Sequence, residues 1–314
     1  MKTDYAIQTD SLGRRFGRQW AVRHLGLEVP RGSVYGFLGL NGAGKSTTMR
    51  MLMGLLEPHE GEASVLGLDP SREPLPVRRR VGYVADRAYM YEWMTIREII
   101  AFVAHYRREH WDRAMADHLA KVFKLPLDQK IKTLSKGQAA KVSLLLAMGF
   151  DPEMLILDEP TGGLDPVVRR EFVENLLAEY MESGRTVFIS SHLVNEIAGL
   201  VDRVGIIKDG ELIRQAPVDD LRNEIKRARL VFPEFVPVKL DGVEGVLSIR
   251  ARDREAAVLL ERFNPETTPK ALESCGAESV RIEDLSLEDI FVALAEERPD
   301  AVASAPGTNQ EDAA

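Results

Sequence analysis

Gly39-Leu40-Asn41-Gly42-Ala43-Gly44-Lys45-Ser46 decides how the rest of this chain is read. A polyphosphate needs hydrogen-bond donors on several sides. Backbone N–H groups supply them only where no side chain blocks the approach, hence the glycines at 39, 42 and 44. Asn41, Ala43 and Thr47 complete the stretch that would wrap the anion. A helix starting near Lys45 points its N-terminus at the same place. In a G-x-x-x-x-G-K-[ST] pattern, Lys45 reaches the terminal phosphates as a point charge and Ser46 offers its hydroxyl to Mg²⁺. The context agrees. Val34-Tyr35-Gly36-Phe37-Leu38 before the loop is the apolar run expected of a strand buried on both faces. After it, Met49, Leu52, Met53 and Leu56 recur at helical spacing, with Pro58 and Gly61 ending the pattern.

Further along, Leu155-Ile156-Leu157 is a second buried-strand run that ends in Asp158-Glu159. Two carboxylates at the carboxyl edge of a parallel sheet lie where such sheets bind ligands. Asp158 suits the Mg²⁺ shell through water, and Glu159 suits polarisation of a water attacking the last phosphate. Thr186–Ser190 predicts another buried strand, with a helix over Val167–Glu182 before it. Asp209-Gly210 between two apolar runs predicts a hairpin. The alternation and glycines from Tyr5 to Pro30 predict short antiparallel strands, and residues 88 to 149 are mostly helical in pattern. Composition changes near Lys226. Beyond it, short strands (Arg229–Phe232, Val246–Ile249, Ser279–Ile282) and amphipathic helices (Glu255–Phe263, Leu287–Ala295) predict a small α+β domain. From Arg298 the chain lacks periodicity and reads as a disordered tail.

Leu134-Ser135-Lys136-Gly137-Gln138 brings these pieces under one family. Together with the two motifs above, it resembles the Leu-Ser-Gly-Gly-Gln signature of ABC-type ATPase subunits, with Lys136 in place of a glycine. Gly163-Leu164-Asp165 is similar to the family's D-loop. Ser190-Ser191-His192 is similar to its switch histidine, and Phe16 sits where the family stacks an aromatic on adenine. The resemblance covers Tyr5 to Leu221. It implies a P-loop NTPase core: a RecA-like parallel sheet with an antiparallel N-terminal β-subdomain and an α-helical signature subdomain. The expected division is 1–225 for the ATP-binding domain (helical part about 88–150), 226–297 for a small C-terminal α+β domain with a regulatory or dimerising role, and 298–314 for the tail.

The resemblance also implies a split site. ATP and Mg²⁺ bind to one subunit, and Ser135, Gly137 and Gln138 of a second subunit cover the γ-phosphate. Asp165 communicates across that interface, and His192 touches the γ-phosphate of its own subunit. Where the family has a glutamine for Mg²⁺ and the membrane subunit, this chain has Asp86, which is anionic and cannot donate: it either reaches the metal through water or takes no part at the nucleotide. The region from Asp86 to Tyr106 is the expected docking surface of a membrane-embedded permease. The layout is similar to ATPases of simple exporters for drugs, antibiotics or lipids, on the cytoplasmic face of the membrane. One copy of each motif makes a homodimer sufficient, with a heterodimer as the alternative.

Bulk properties narrow the alternatives. With 49 acidic against 41 basic residues the formal net charge is -8, which speaks against a general nucleic-acid binder. No apolar run approaches the ~18 residues that cross a bilayer, and the N-terminus lacks the apolar core of a signal peptide. Cys275, the single cysteine, predicts a fold without disulfides. No Asn-Lys-x-Asp segment appears, which favours ATP over GTP. The rival reading is a soluble ABC ATPase acting on nucleic acid or ribosomes. Such proteins usually insert coiled coils, zinc modules or a second ATPase, and the stretch between Asp86 and Leu134 leaves room only for a compact helical subdomain.

Overall fold

The computed structural model describes residues 4–87, 89–162, 169, 180, 184–237 and 239–296. Among the described residues the chain divides into two compact units, one running to Glu224 and including Asp284–Phe291, the other spanning Ile225–Glu283 and Val292–Glu296. The expected helix over Val167–Glu182, Gly163, Leu164 and Asp165, and the tail from Arg298 lie outside the described residues.

Among its described residues the first unit has two sheets. In the antiparallel one, β1 (Tyr5–Phe16) pairs with β2 (Gln19–Leu25), β3 (Glu28–Pro30) and β5 (Glu60–Val65). The expectation of several short strands needs correcting at β1, which is one strand of 12 residues. Its pairing register shifts between Asp10 and Gly13, so the strand bends instead of ending. Gly13 permits this because a Cβ there would meet the Glu60 side chain.

The larger sheet has the order β10-β9-β4-β8-β7-β6. Here β4 is Val34–Leu38, β6 Val81–Val84, β7 Met154–Asp158, β8 Thr186–Ser191, β9 Arg203–Lys208 and β10 Glu211–Pro217. Strands β9, β4, β8, β7 and β6 run parallel. Strand β10 returns antiparallel to β9 through Asp209 (φ 50) and Gly210 (φ 87), the paired positive φ values that a tight hairpin demands. Every residue of β4, β7 and β8 is buried. Phe188 on β8 packs between Tyr35 and Phe37 at ring separations of 5.7 and 5.3 Å. Helices α1 (Lys45–Leu52) and α2 (Pro74–Arg80) precede a helical stretch of α3 (Ile96–Tyr106), α4 (Arg113–Val122) and α5 (Lys136–Met148). The helix expected to continue to Leu56 stops at Leu52. Gly54 (φ 59) follows, at a point where any Cβ would strike the Pro70 carbonyl, so the turn leaves before the apolar pattern ends. After β8 come α6 (Val194–Ile197) and α7 (Val218–Glu224).

The second unit carries a sheet ordered β12-β13-β11-β14, made of β11 (Lys226–Val231), β12 (Val246–Arg252), β13 (Glu255–Leu260) and β14 (Ser279–Asp284). The expected helix over Glu255–Phe263 is a strand. Ala256, Val258 and Leu260 all face the core at period two, and the apolar residues between them hide that alternation. Helix α8 (Thr268–Ser274), unforeseen in the sequence, adds Leu272 to the same core. The last described helix is α9 (Leu287–Glu296).

Phe188 is fully buried in a strand flanked on both sides. Truncating it leaves a cavity that the sheet cannot close by collapse. Phe188→Ala is expected to cost about 3–5 kcal/mol, read as a lower urea midpoint at unchanged slope.

Candidate functional site

The site grows from the carboxyl ends of three neighbouring strands. Strand β4 runs into the glycine loop and α1, β7 ends at Asp158, and β8 ends at Ser191. The register pairs Asp158 directly with Ser190. In the loop, Gly42 and Gly44 have φ of 84 and 110. A Cβ on Gly44 would run into the Ala21 carbonyl oxygen, whereas one on Gly42 would meet nothing. Gly44 is the N-cap of α1, and no side chain caps that helix or places an acid in its first turn. The leading N–H groups of α1 therefore have no local anion competing for them.

Lys45 is 6% exposed. Its Nζ donates to the Gly39 carbonyl at 2.6 Å and the Leu40 carbonyl at 3.3 Å, and lies 3.2 Å from Glu159 Oε1. The other carboxylate oxygen, Glu159 Oε2, is 2.8 Å from His192 Nδ1 and accepts the His192 backbone N–H at 3.3 Å. Glu159 has a φ of 49, in the left-handed region that costs a non-glycine residue roughly 1–3 kcal/mol. Ser190 holds it there: Ser190 Oγ accepts the Glu159 N–H at 3.0 Å and donates to Asp158 Oδ1 at 2.8 Å.

Asp158 is buried. Burial pushes its carboxyl above the ordinary range, hydrogen bonds from Ser46 and Ser190 pull it back, and the negative charges of Asp86 and Glu159 push it up again. An anion held under these conditions is a receptive partner for a hard cation. Ser46 and Asp158 form an oxygen pair suited to Mg²⁺, which takes few protein ligands and completes its shell with water and phosphate.

The structure therefore brings together Lys45, Ser46, Asp158, Glu159 and His192. Asn41, Gly42 and Ala43 lie in the adjoining loop, and Thr47 is in the first turn of α1. Asp86 is exposed just after β6. Phe16, at the end of β1, is 52% exposed, with the Arg14 guanidinium 5.2 Å from its ring centre. Ser135 caps α5 in a reciprocal box: its Oγ accepts the Gln138 N–H at 3.2 Å, and its own N–H donates to Gln138 Oε1 at 3.0 Å. Gln138 thus fastens the helix start, a role that its placement among ligand-binding residues missed although Ser-x-x-Gln is a capping signature. No described hydrogen bond joins the Ser135 segment to the Lys45 cluster. Asp165 lies outside the described residues. Ser190, read from the sequence only as a lead-in to His192, is a hub of the site.

A family model described as ABC transporter matches residues 22–162. A bacitracin transport ATP-binding protein of Bacillus licheniformis is 36% identical over 223 residues, which is 70% of this chain and 72% of that protein. A daunorubicin/doxorubicin resistance ATP-binding protein of Streptomyces peucetius is 32% identical over 304 residues, 92% of each chain. The solved structure of an ATP-binding subunit of an ABC transporter superposes with a TM-score of 0.63 at 28% identity, covering 69% of this chain and 92% of the other.

The raised Asp158 carboxyl carries a sign for stability. A group whose folded pKa exceeds its unfolded value contributes stability below the unfolded pKa and loses it as pH rises through the folded one. At neutral pH the Asp158 charge therefore destabilises the nucleotide-free fold. Asp158→Asn is expected to raise the melting temperature in magnesium-free buffer, by more at pH 8 than at pH 5, while magnesium-dependent hydrolysis is lost. Thermal scans at the two pH values check it.

Proposed function

The chain belongs to the ABC transporter family, as an ATP-binding subunit that hydrolyses ATP to power transport, and from that premise we propose how its residues divide the work. The chain of contacts from Lys45 through Glu159 to His192 carries the reading.

The loop amides of Asn41 to Ser46 and the start of α1 wrap the phosphates, with Thr47 behind them and Phe16 against the base. Lys45 leaves Glu159 for the β- and γ-phosphates. Glu159 then accepts a hydrogen bond from the attacking water and takes its proton at a carboxylate oxygen, and His192 holds the other oxygen in place while sensing the terminal phosphate. Ser46 and Asp158 would hold Mg²⁺, with Asp86 reaching it through water; the ion neutralises phosphate charge. Ser135 and Gly137 of a second copy, positioned by Gln138, cover the same phosphate in a homodimer, with Asp165 at that junction.

Residues Asp86 to Tyr106 would receive the permease. Tyr89, Trp93 and Tyr106 are 84%, 67% and 75% exposed, and the rings form a chain in the order Trp93, Tyr91, Phe102, Tyr106, with centres 4.8, 5.4 and 4.9 Å apart. An aromatic shelf of this size is an interface in waiting. We place the subunit on the cytoplasmic face of the membrane, held there by that permease, and assign it to export, as the transport and resistance names of its relatives suggest. The second unit is assigned a regulatory or dimerising role.

Glu159→Gln keeps the shape and removes the base. Turnover is expected to fall roughly 10²- to 10⁴-fold while ATP still binds and holds a dimer, measured by steady-state ATPase and light scattering. Wild-type turnover in that variant would remove Glu159 from the base role. Trp93→Ala is expected to weaken capture of the permease by about 10-fold or more, with the ATPase of the isolated subunit unchanged.

A further inference from the structure

Glu196 is one of the most enclosed carboxylates in the first unit, with its side chain 4% exposed. It stands on α6, four residues beyond His192. Its Oε2 accepts the hydroxyl of Thr161 at 2.5 Å, and its Oε1 lies 2.6 Å from Nη1 of Arg169. Thr161 is itself buried and sits two residues beyond Glu159. The turn between them is closed by the Gly162 N–H on the Glu159 carbonyl at 3.0 Å. The turn into α6 is closed in the same way: Ser191 Oγ accepts the Leu193 N–H at 3.0 Å and donates to the Leu193 carbonyl at 3.1 Å.

Two carboxylates therefore cross the same gap in opposite directions. Glu159 reaches from the end of β7 to His192. Glu196 reaches from the His192 segment back to Thr161. A charge removed from water is held only where partners compensate, and Thr161 and Arg169 are the partners seen at the two Glu196 oxygens. We propose that Glu196 is a positioning residue for hydrolysis. By clasping Thr161 and Arg169 it fixes the segment carrying Glu159 against the segment carrying His192, so that the base and the histidine move as one body. The inference rests on the assignment of Glu159 as base, and deepens it.

A clasp of this kind touches turnover more than nucleotide affinity, because the glycine loop and Lys45 do not depend on it. In the full-length chain, Thr161→Val, which removes the hydroxyl at nearly constant shape, is expected to lower kcat at least 10-fold with KM for ATP within 2-fold. Thr161→Ser, which restores the hydroxyl, should return kcat to within 2-fold of the parent. Glu196→Ala should match or exceed the Thr161→Val loss. If Glu196→Ala does not fold, the two Thr161 variants decide. The proposal is overturned if Thr161→Val keeps kcat within 2-fold, if its loss lies in KM, or if Thr161→Ser is as impaired as Thr161→Val. Glu159→Gln, assayed alongside, separates the two ideas: full activity there defeats the base assignment, whatever Thr161 does.

Discussion

A buried ammonium must be answered, and the answer to Lys45 organises the molecule. Its charge sits at 6% exposure, where an isolated ion would be untenable. Two loop carbonyls and the Glu159 carboxylate surround it. The carbonyls belong to the loop that carries Lys45, but Glu159 comes from a distant part of the chain, and the strand order makes it a neighbour. Lys45 follows β4, Glu159 follows β7, and β8 lies between them in the sheet. With β8 in the middle, the residues at its end are in reach of both: Ser190 ties down Asp158 and the Glu159 amide, and His192 ties down the Glu159 carboxylate. Parallel strands end on one edge, so the crossovers that build the sheet also gather its polar ends.

What could be read from the sequence follows from how local each requirement is. The glycine loop announces itself because backbone geometry demands particular residues in a fixed row. The end of β7 announces itself because two acids at the end of a fully apolar strand have few other uses. The clasp at Glu196 was not legible: its partner Thr161 is 35 positions away, and each residue alone is unremarkable. Strand β13 was misread because Ala256 to Leu260 is apolar throughout, so neither period stands out until the neighbours β11 and β12 supply hydrogen bonds. Gln138 has a second role that the motif alone did not announce. A resemblance assigns residues by motif, while the capping box assigns them by backbone need, and the box is the contact seen within this chain.

Function has left visible costs in stability. Glu159 holds a left-handed backbone that glycine would adopt more easily, and a glycine there would have no carboxylate. Asp158 keeps a charge that burial, Asp86 and Glu159 all oppose. Neither arrangement serves the core, whose stability lies in β4, β7 and β8 and their stacked aromatics. Strain of this kind persists only where surrounding contacts over-determine it, and Ser190 supplies such contacts to both residues at once.

The signature segment shows the complementary economy. The α5 start satisfies the Ser135 and Gln138 amides through their reciprocal box, so the helix start is formed without any phosphate nearby. Accepting the Gln138 N–H occupies lone-pair density on Ser135 Oγ and leaves its O–H proton uncommitted. Ser135 is exposed, so its hydroxyl is open to a partner from outside. A surface built in this way is finished as a fold and unfinished as a binding site. In the proposed homodimer the phosphate held by one Lys45 would complete it. On that view the two halves of the site are kept apart within each chain for a physical reason: a helix start that had already captured its own anion would have nothing left to offer a second subunit.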